Sequence, residues 1–356
     1  MTQTLCYFIG SKNVYFNVER TVLNEGQMLS DAFNLELLTT APLEFKEEAE
    51  QYFDIYGAHE SCSRRGELKI IAQSVRRASP SAFLQVTDAP VHGNIAGAAA
   101  RLTDAKFVYR YNGDAFYFYK VNSGWKKGAH FARNNLAGRL PLELADECIV
   151  MGENGRQRLT RRGVSRDQIT VLPPVIDRTR FEVDESDSED ILEKFEIPLE
   201  KSIVLFVGRL IPTKGIHTLE SIIPQLLDVR EDLHFVLAGH GDQPLSIPDS
   251  CAESVTLTGP VSPNEIPALF RAADVLVHPS LSEGVPRVLL EALLTGTPVI
   301  AREVGDVSAV TDNLFESEDE LVEVVLNFED LLVDDAQQFC LENAQSKYTS
   351  FWEAVL

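Results

Sequence analysis

Short β-rich apolar runs alternate with helical patterns along this chain, and the alternation is played through twice. Strands buried on both faces read as near-continuous Val/Ile/Leu runs, and such runs separated by helices build parallel sheets covered by helices. In the first half the strand candidates are 4–9, 35–39, 83–87, 106–111 and 147–151, with helix candidates at 17–32, 94–102 and 129–144. In the second half the strands fall at 203–207, 233–238, 254–258, 275–277 and 298–301. Helices are expected there at 216–229, 264–272 and 288–295, with more after Asp319. The pattern predicts an α/β fold of two doubly wound, Rossmann-like domains.

A length of 356 residues agrees, being too long for one ordinary core. The crossing between domains reads as Leu172-Pro-Pro-Val-Ile-Asp177, stiffened because each residue before a proline is pushed out of the helical region. Residues 1–176 and 177–342 are therefore the expected domains, with a terminal helix from about 343 to 356 packing back on the first. The acidic segment 182–200 follows the crossing, and its carboxylates read as a solvated face and not as a metal site.

Charge divides the chain as sharply as topology does. Residues 1–170 hold 21 Lys and Arg against 19 Asp and Glu, whereas residues 171–356 hold 11 against 35. The formal net charge of -22 thus belongs to the second half, and it disfavours nucleic acid as a partner. Arg outnumbers Lys 21 to 11, and an acidic, lysine-poor surface suits a salt-rich cytoplasm in which repulsion is screened. A hydrophobic fraction of 44% and mean hydropathy of -0.07 describe a globular chain. No apolar run approaches the roughly 20 residues of a membrane-spanning helix, nor does 5–9 make a signal segment. Cys6, Cys62, Cys148, Cys251 and Cys340 are scattered without a CxxC and read as reduced core thiols in a cytoplasmic protein.

Candidate chemistry concentrates between residues 203 and 301. The strand at 203–207 runs into Gly208-Arg209, and Lys214-Gly215 precedes a helix. Ligands of open α/β sheets sit beyond the carboxyl ends of strands, beside helix N-termini that favour anions. Arg209 and Lys214 therefore suit a diphosphate, although two exposed loop cations would look the same singly. Further on, Pro286 can take a first helical position and Gly296 with Pro298 can close the helix. That helix is apolar nearly all round, so Glu291 is expected to be buried and to require a partner. His278 reads as a strand-end histidine satisfied by its surroundings.

Six pieces occur in order: Gly208-Arg-Leu-x-x-x-Lys-Gly215, Val236-Leu-Ala-Gly-x-Gly241, Thr258-Gly-x-Val261, Ala273-Asp-Val-Leu-Val-His-Pro-Ser280, Glu283-Gly-Val-Pro-(x)4-Glu291-Ala and Gly296-Thr-Pro-Val-Ile300. Together they resemble family 4 of the retaining glycosyltransferases, enzymes of the GT-B fold, whose two Rossmann-like domains face across a cleft. The resemblance is strong over 203–301 and fair over 147–181. It implies a hexose-type nucleotide-sugar donor bound mainly by the second domain and a hydroxyl acceptor held by the first. Arg209 and Lys214 would bind the diphosphate, and Glu283 the hydroxyls of the transferred sugar. The Gly284, Val285, Pro286 and Arg287 backbone would face sugar and phosphate, and Glu291 the ribose. Gly208 would lie by the phosphates, and Gly259 and Val261 near the base. Neither cofactor nor metal is expected, because the two cations carry the charge.

The first half departs from that pattern. Gly10-Ser-Lys-Asn13 stands where the family has a glycine pair, and Asn112 where it often has histidine; Asp114 could meet an acceptor hydroxyl or serve a turn. Aromatic residues then alternate with cations from Phe116 through Tyr119 and Lys120, Trp125-Lys-Lys127, His130, Arg133 and Arg139. Residues 116–139 suit contact with a membrane face or a lipid-linked acceptor, and equally a packed aromatic strand with surface cations. Arg64-Arg65, Arg76-Arg77 and the arginines of 156–162 add to the basic side. Two readings stand open: a glycosyltransferase at the inner face of a cell membrane building a glycan, or a non-catalytic nucleotide-sugar binder on the same scaffold.

Overall fold

The computed structural model describes residues 2–9, 16–40, 42–57, 80–87, 89–111, 124–241 and 245–356. Its contacts divide the chain into two units, Met1–Val175 with Leu341–Leu356, and Ile176–Cys340.

The described strands of the first unit are β1 (Thr4–Ile9), β2 (Asn34–Thr39), β3 (Asp54–Gly57), β4 (Ala82–Gln85), β5 (Lys106–Tyr111), β6 (Glu147–Val150) and β7 (Ile169–Val171). They form one parallel sheet in the order β3-β2-β1-β4-β5-β6-β7. Because successive side chains leave a strand on opposite faces, the sheet feeds two cores. Leu5, Tyr7, Ile9, Leu84, Val108 and Ile149 enter one core, while Cys6, Phe8, Phe83, Phe107, Tyr109 and Cys148 enter the other. The terminal helix Leu341–Val355 belongs to the first core, where Trp352 is 1% exposed. Gln345 ties it to the helix Phe16–Leu29 through the Met28 carbonyl (2.9 Å), and the Tyr348 hydroxyl donates to the Pro173 carbonyl (2.8 Å).

The second unit repeats the plan with β8 (Ser202–Val207), β9 (Leu233–Ala238), β10 (Val255–Gly259), β11 (Val275–His278), β12 (Val299–Arg302) and β13 (Leu314–Phe315). Again all pairs are parallel, in the order β10-β9-β8-β11-β12-β13. Val204, Phe206, Phe235, Leu237, Val275 and Val277 pack against Leu219, Ile222 and Ile223 of the helix Ile216–Leu227. The α/β class with two parallel, Rossmann-like sheets is thus what the chain adopts.

Local departures have physical causes. The single helix expected over 129–144 is broken into Gly124–Phe131, a π-helical turn Ala132–Ala137 and Arg139–Leu144. Gly138 lies at the break, and the Pro141 ring excludes the helical carbonyl of residue 137, which instead accepts from the Asn94 amide (3.1 Å). The carboxylates of the acidic segment are exposed, as expected, but the segment also holds the helix Glu185–Lys194, which buries Ser188, Ile191 and Leu192 on its other side. The described cysteines, Cys6, Cys148, Cys251 and Cys340, are buried free thiols, and burial pushes Cys148 up to about 12. Among the described residues no helix is long and apolar enough to cross a membrane.

Candidate functional site

In the second sheet the winding reverses between β8 and β11, since β9 and β10 extend one edge while β12 and β13 extend the other. Loops following these two strands therefore flank the crevice at which such sheets take ligands. After β8 the chain passes through Gly208 and the exposed Arg209 into the 3-10 turn Pro212–Lys214. Gly215 follows at φ 77°, where a side chain would be strained, and a Cβ there would stand 2.1 Å from the Pro279 carbonyl oxygen. Two hydrogen bonds stitch this turn to the loop after β11: the Leu281 amide (3.0 Å) and the Ser280 hydroxyl (3.2 Å) both donate to the Thr213 carbonyl.

That stitching brings Lys214 onto Glu283, across 69 residues of sequence. The Lys214 ammonium donates to Glu283 Oε1, and His278 Nε2 approaches the same oxygen at 3.0 Å. The other oxygen, Oε2, accepts no hydrogen bond from the described residues. Burial alone would raise the Glu283 carboxyl, but His278 and Lys214 outweigh it and bring it down to about 2. Glu283 is thus a fixed carboxylate at neutral pH, with one oxygen held by two donors. The loop after β12 supports it from below: the Asp306 amide donates to the Gly284 carbonyl (3.1 Å). Gly305, at φ 64°, lets that loop approach, since a Cβ would stand 2.1 Å from the Glu283 carbonyl oxygen.

The helix beyond it is Arg287–Leu294, so Pro286 precedes the first helical residue instead of occupying that position. Leu289, Leu290, Ala292 and Leu293 are buried, as is Val285, but Arg287, Val288, Glu291 and Leu294 form a half-buried side. The expected burial of Glu291 is corrected accordingly. Its carboxylate lies 3.7 Å from Arg287 Nε, one helical turn earlier, so the protein itself supplies a counter-charge. Gly259 ends β10 at φ 69°, its carbonyl accepting from the Gly239 amide (2.9 Å), and Val261 is half-buried just beyond. The structure therefore joins Lys214 with Glu283 and Arg287 with Glu291, while Arg209 is an exposed cation between β8 and that turn.

His278 is the member that its sequence did not announce. It is 3% exposed and ends β11, the strand whose following loop carries Glu283. The available signal was its position, a polar side chain at a strand's carboxyl end, five residues before a carboxylate.

Gly10, Asn112 and Asp114 lie outside the described residues, as do the loop 10–13, the aromatic run 116–120, Cys62 and the arginines at 64, 65, 76 and 77. So do the side chains of Lys126, Lys127, His130 and Arg133. Among the described residues, no three His, Cys, Asp or Glu cluster as metal ligands would.

Residues 201–334 match the model of the family "Glycosyl transferases group 1". Over 162 residues the chain is 35% identical to a putative teichuronic acid biosynthesis glycosyltransferase, TuaC, of Bacillus subtilis, covering 46% of this chain and 40% of that protein. The chain spans about half or less of the curated relatives it matches first, between 40 and 48% of their length. Two solved structures extend the likeness to the whole fold. Anabaena Alr3699/HepE in complex with UDP is 17% identical with a TM-score of 0.75, covering 99% of this chain and 100% of that one. The same protein with UDP-glucose is 18% identical with a TM-score of 0.73, covering 99% of each chain. By family model and by relatives alike, the second unit is similar to the group 1 glycosyltransferases, on a fold that the chain shares with the Anabaena protein.

Proposed function

We propose that this protein is a retaining glycosyltransferase that moves a hexose-type sugar from a nucleoside diphosphate to a hydroxyl acceptor. The observation that carries the proposal is the meeting of Lys214, His278 and Glu283 where the second sheet reverses its winding. A half-exposed ammonium beside a helix N-terminus suits phosphate, and a fixed carboxylate with one oxygen open suits sugar hydroxyls. The similarity of this unit to group 1 glycosyltransferases, and the UDP-glucose bound by the Anabaena protein, support a nucleotide-sugar donor.

In this reading Arg209 and Lys214 neutralise the diphosphate, with the Gly208 backbone beside it. Glu283 Oε2 accepts from the transferred sugar, and the Gly284–Arg287 backbone lines that position. Glu291 takes the ribose hydroxyls, held in orientation by Arg287. Gly259 and Val261 flank the base. The bond from the sugar's anomeric carbon to the leaving phosphate breaks as the acceptor oxygen bonds to that carbon from the same face. The acceptor's proton passes to the leaving diphosphate, which the two cations stabilise as charge develops on it. Since these cations do that work, turnover should persist in chelator. Gly10, Asn112 and Asp114 are assigned to the acceptor side.

The acceptor is proposed to be a lipid-linked glycan or cell-surface polysaccharide met at the cytoplasmic membrane face. Trp125, Phe131, Leu136 and Leu140 support this, being exposed apolar side chains within one short helical stretch. Between residues 124 and 166 the sequence holds nine Lys and Arg against four Asp and Glu, a cationic island in an acidic chain. The test is incubation with a panel of uridine, guanosine and thymidine diphosphate sugars, following release of free sugar and nucleoside diphosphate. Slow hydrolysis of at least one donor is expected, with the released sugar first appearing as the donor's anomer. Binding without any hydrolysis or transfer would make the protein a nucleotide-sugar binder instead.

A further inference from the structure

Two donors share one oxygen of Glu283, and they are built differently. Lys214 reaches it from a loop, at the tip of a flexible side chain that is 25% exposed. His278 is 3% exposed and its backbone is set in the sheet, paired in register with Ala301 of β12. A diphosphate carries more negative charge than one carboxylate, so a donor bound beside Lys214 competes for the ammonium's three N–H groups. Glu283 would lose part of its restraint just when a sugar hydroxyl needs a fixed acceptor. A catalytic or binding carboxylate that is free to turn forfeits the orientation on which its contribution depends.

We propose that His278 is the positioning residue that holds Glu283 through Oε1 while Lys214 is engaged by the donor diphosphate, leaving Oε2 to the transferred sugar. This rests on the glycosyltransferase reading above. An imidazole meets the requirement better than a second lysine. Its ring has only two side-chain torsions, and Nε2 donates in one neutral tautomer as well as in the protonated form. His278 is buried, and the loop at Gly305 packs against the Glu283 main chain, so the ring and the backbone that carries the carboxylate are both set by packing. Lys214 then acts as the exchangeable partner and His278 as the permanent one. That the contact with His278 lowers the Glu283 carboxyl more than Lys214 does, both acting against burial, agrees with this division.

Three forms of the full-length protein test it: wild type, His278→Phe, which keeps ring volume without a donor, and His278→Gln, which returns an N–H near the Nε2 position. With the best nucleotide sugar of the panel, His278→Phe should lower kcat about 10- to 100-fold, while KM for the donor and affinity for free nucleoside diphosphate change less than about threefold. His278→Gln should recover most of the loss. A kcat for His278→Phe within about twofold of wild type would overturn the proposal, as would equal loss of kcat and of nucleotide affinity in both variants. A second measurement reads the contact without turnover: the Glu283 carboxyl, followed by carbon NMR during acid titration, should titrate higher in His278→Phe than in wild type. An unchanged titration would overturn the contact even in an active enzyme. Wild type that hydrolyses no donor, with the titration shift present, would instead remove the transferase reading and the role built upon it.

Discussion

Each unit pairs a cation with a glutamate far away in sequence, Arg110 with Glu25 and Lys214 with Glu283, and these two pairs differ in what surrounds them. In the first unit Arg110, near the end of β5, donates through Nη2 to both oxygens of Glu25 (2.6 and 2.8 Å), and Tyr7 donates to the same carboxylate (2.9 Å). Those two charged side chains are 5% and 2% exposed, sealed within a core of aromatic and aliphatic groups. Lys214 and Glu283 in the second unit are 25% and 13% exposed and belong to loops at the sheet's switch point. A sealed pair cannot exchange partners without leaving a bare charge in a low dielectric, so it acts on stability. An open pair can trade its partner for a ligand, which is what the proposed function asks of Lys214. Access thus separates what two pairs of the same chemistry can do.

The largest expected effect breaks the sealed pair. Arg110→Met leaves Glu25 buried without its counter-charge, which should destabilise the first unit by about 3–5 kcal/mol. At roughly 2–4 °C per kcal/mol for a unit of this size, the calorimetric midpoint should fall by about 10 °C. The double variant Arg110→Met, Glu25→Leu should recover more than half of that, because removing both charges removes the desolvation cost as well. Burial raises and Glu25 further raises the Tyr7 hydroxyl well above its ordinary range, so Tyr7 stays a donor throughout. A single variant that melts with wild type would show that Arg110 and Glu25 are not a sealed pair.

Breaking the open pair should read out in the opposite way. Lys214→Ala should lower turnover about 100-fold or more, the loss of about 3 kcal/mol that follows removal of one group stabilising developing charge. Its thermal midpoint should fall far less than that of Arg110→Met, since Lys214 is partly solvated and His278 still holds Glu283. Arg209→Ala should behave alike. Steady-state rates measured beside calorimetry on the same samples decide the matter, and intact turnover in both variants would end the assignment.

Acid sharpens the comparison further. The folded Glu283 carboxyl is depressed from its usual 4.5 to about 2, so the ionised form favours the folded state. That contribution is complete above the unfolded value, and is lost as pH falls through the window from about 4.5 to about 2. It amounts to at most about 3 kcal/mol for a group so largely buried. Glu283→Gln should therefore flatten the acid limb of the second unit's stability curve between those values while leaving the first unit's unchanged. An identical acid limb in variant and wild type would show that Glu283 is not held as the geometry indicates.

These differences set what could be read from sequence. Long central strands such as Thr4–Ile9 and Leu233–Ala238 are legible because both faces are buried and every residue is apolar or nearly so. Edge strands Asp54–Gly57, Ile169–Val171 and Leu314–Phe315 are two to four residues long and owe their pairing to neighbours far along the chain. In the site, Lys214 and Glu283 are legible as motif members, but their contact depends on loops stitched at Thr213. His278 looks like a packing residue until Glu283 is placed beside it. Arg110 and Glu25 stand 85 positions apart, and nothing local in either distinguishes a core ion pair from two surface charges. The helix Glu185–Lys194 is a different case: Ser188, Ile191 and Leu192 already carry helical spacing, obscured by the acidic residues between them.

The smallest expected effect concerns surfaces. The second unit's half of the chain is strongly acidic, whereas the stretch 124–166 carries an excess of five cations and exposes Trp125 (79%), Leu136 (67%) and Leu140 (49%). Aromatic and aliphatic groups interleaved with Lys and Arg are what an anionic bilayer interface accommodates, at about 1 kcal/mol per cation near the surface. The full-length protein should co-sediment with vesicles of equal phosphatidylglycerol and phosphatidylcholine, and much less with phosphatidylcholine alone. Lys126→Gln with Lys127→Gln should weaken binding by about 2 kcal/mol at low salt and by far less at 1 M, where screening leaves a range of about 3 Å. Trp125→Ala with Leu136→Ser should weaken binding at both salts, because burial of apolar area is not screened. The -24 balance of residues 171–356 must repel the same vesicles, so wild-type binding should pass through a maximum as salt rises and that repulsion fades first. Absence of binding at every salt would return the exposed apolar face to another partner and leave the acceptor a soluble one.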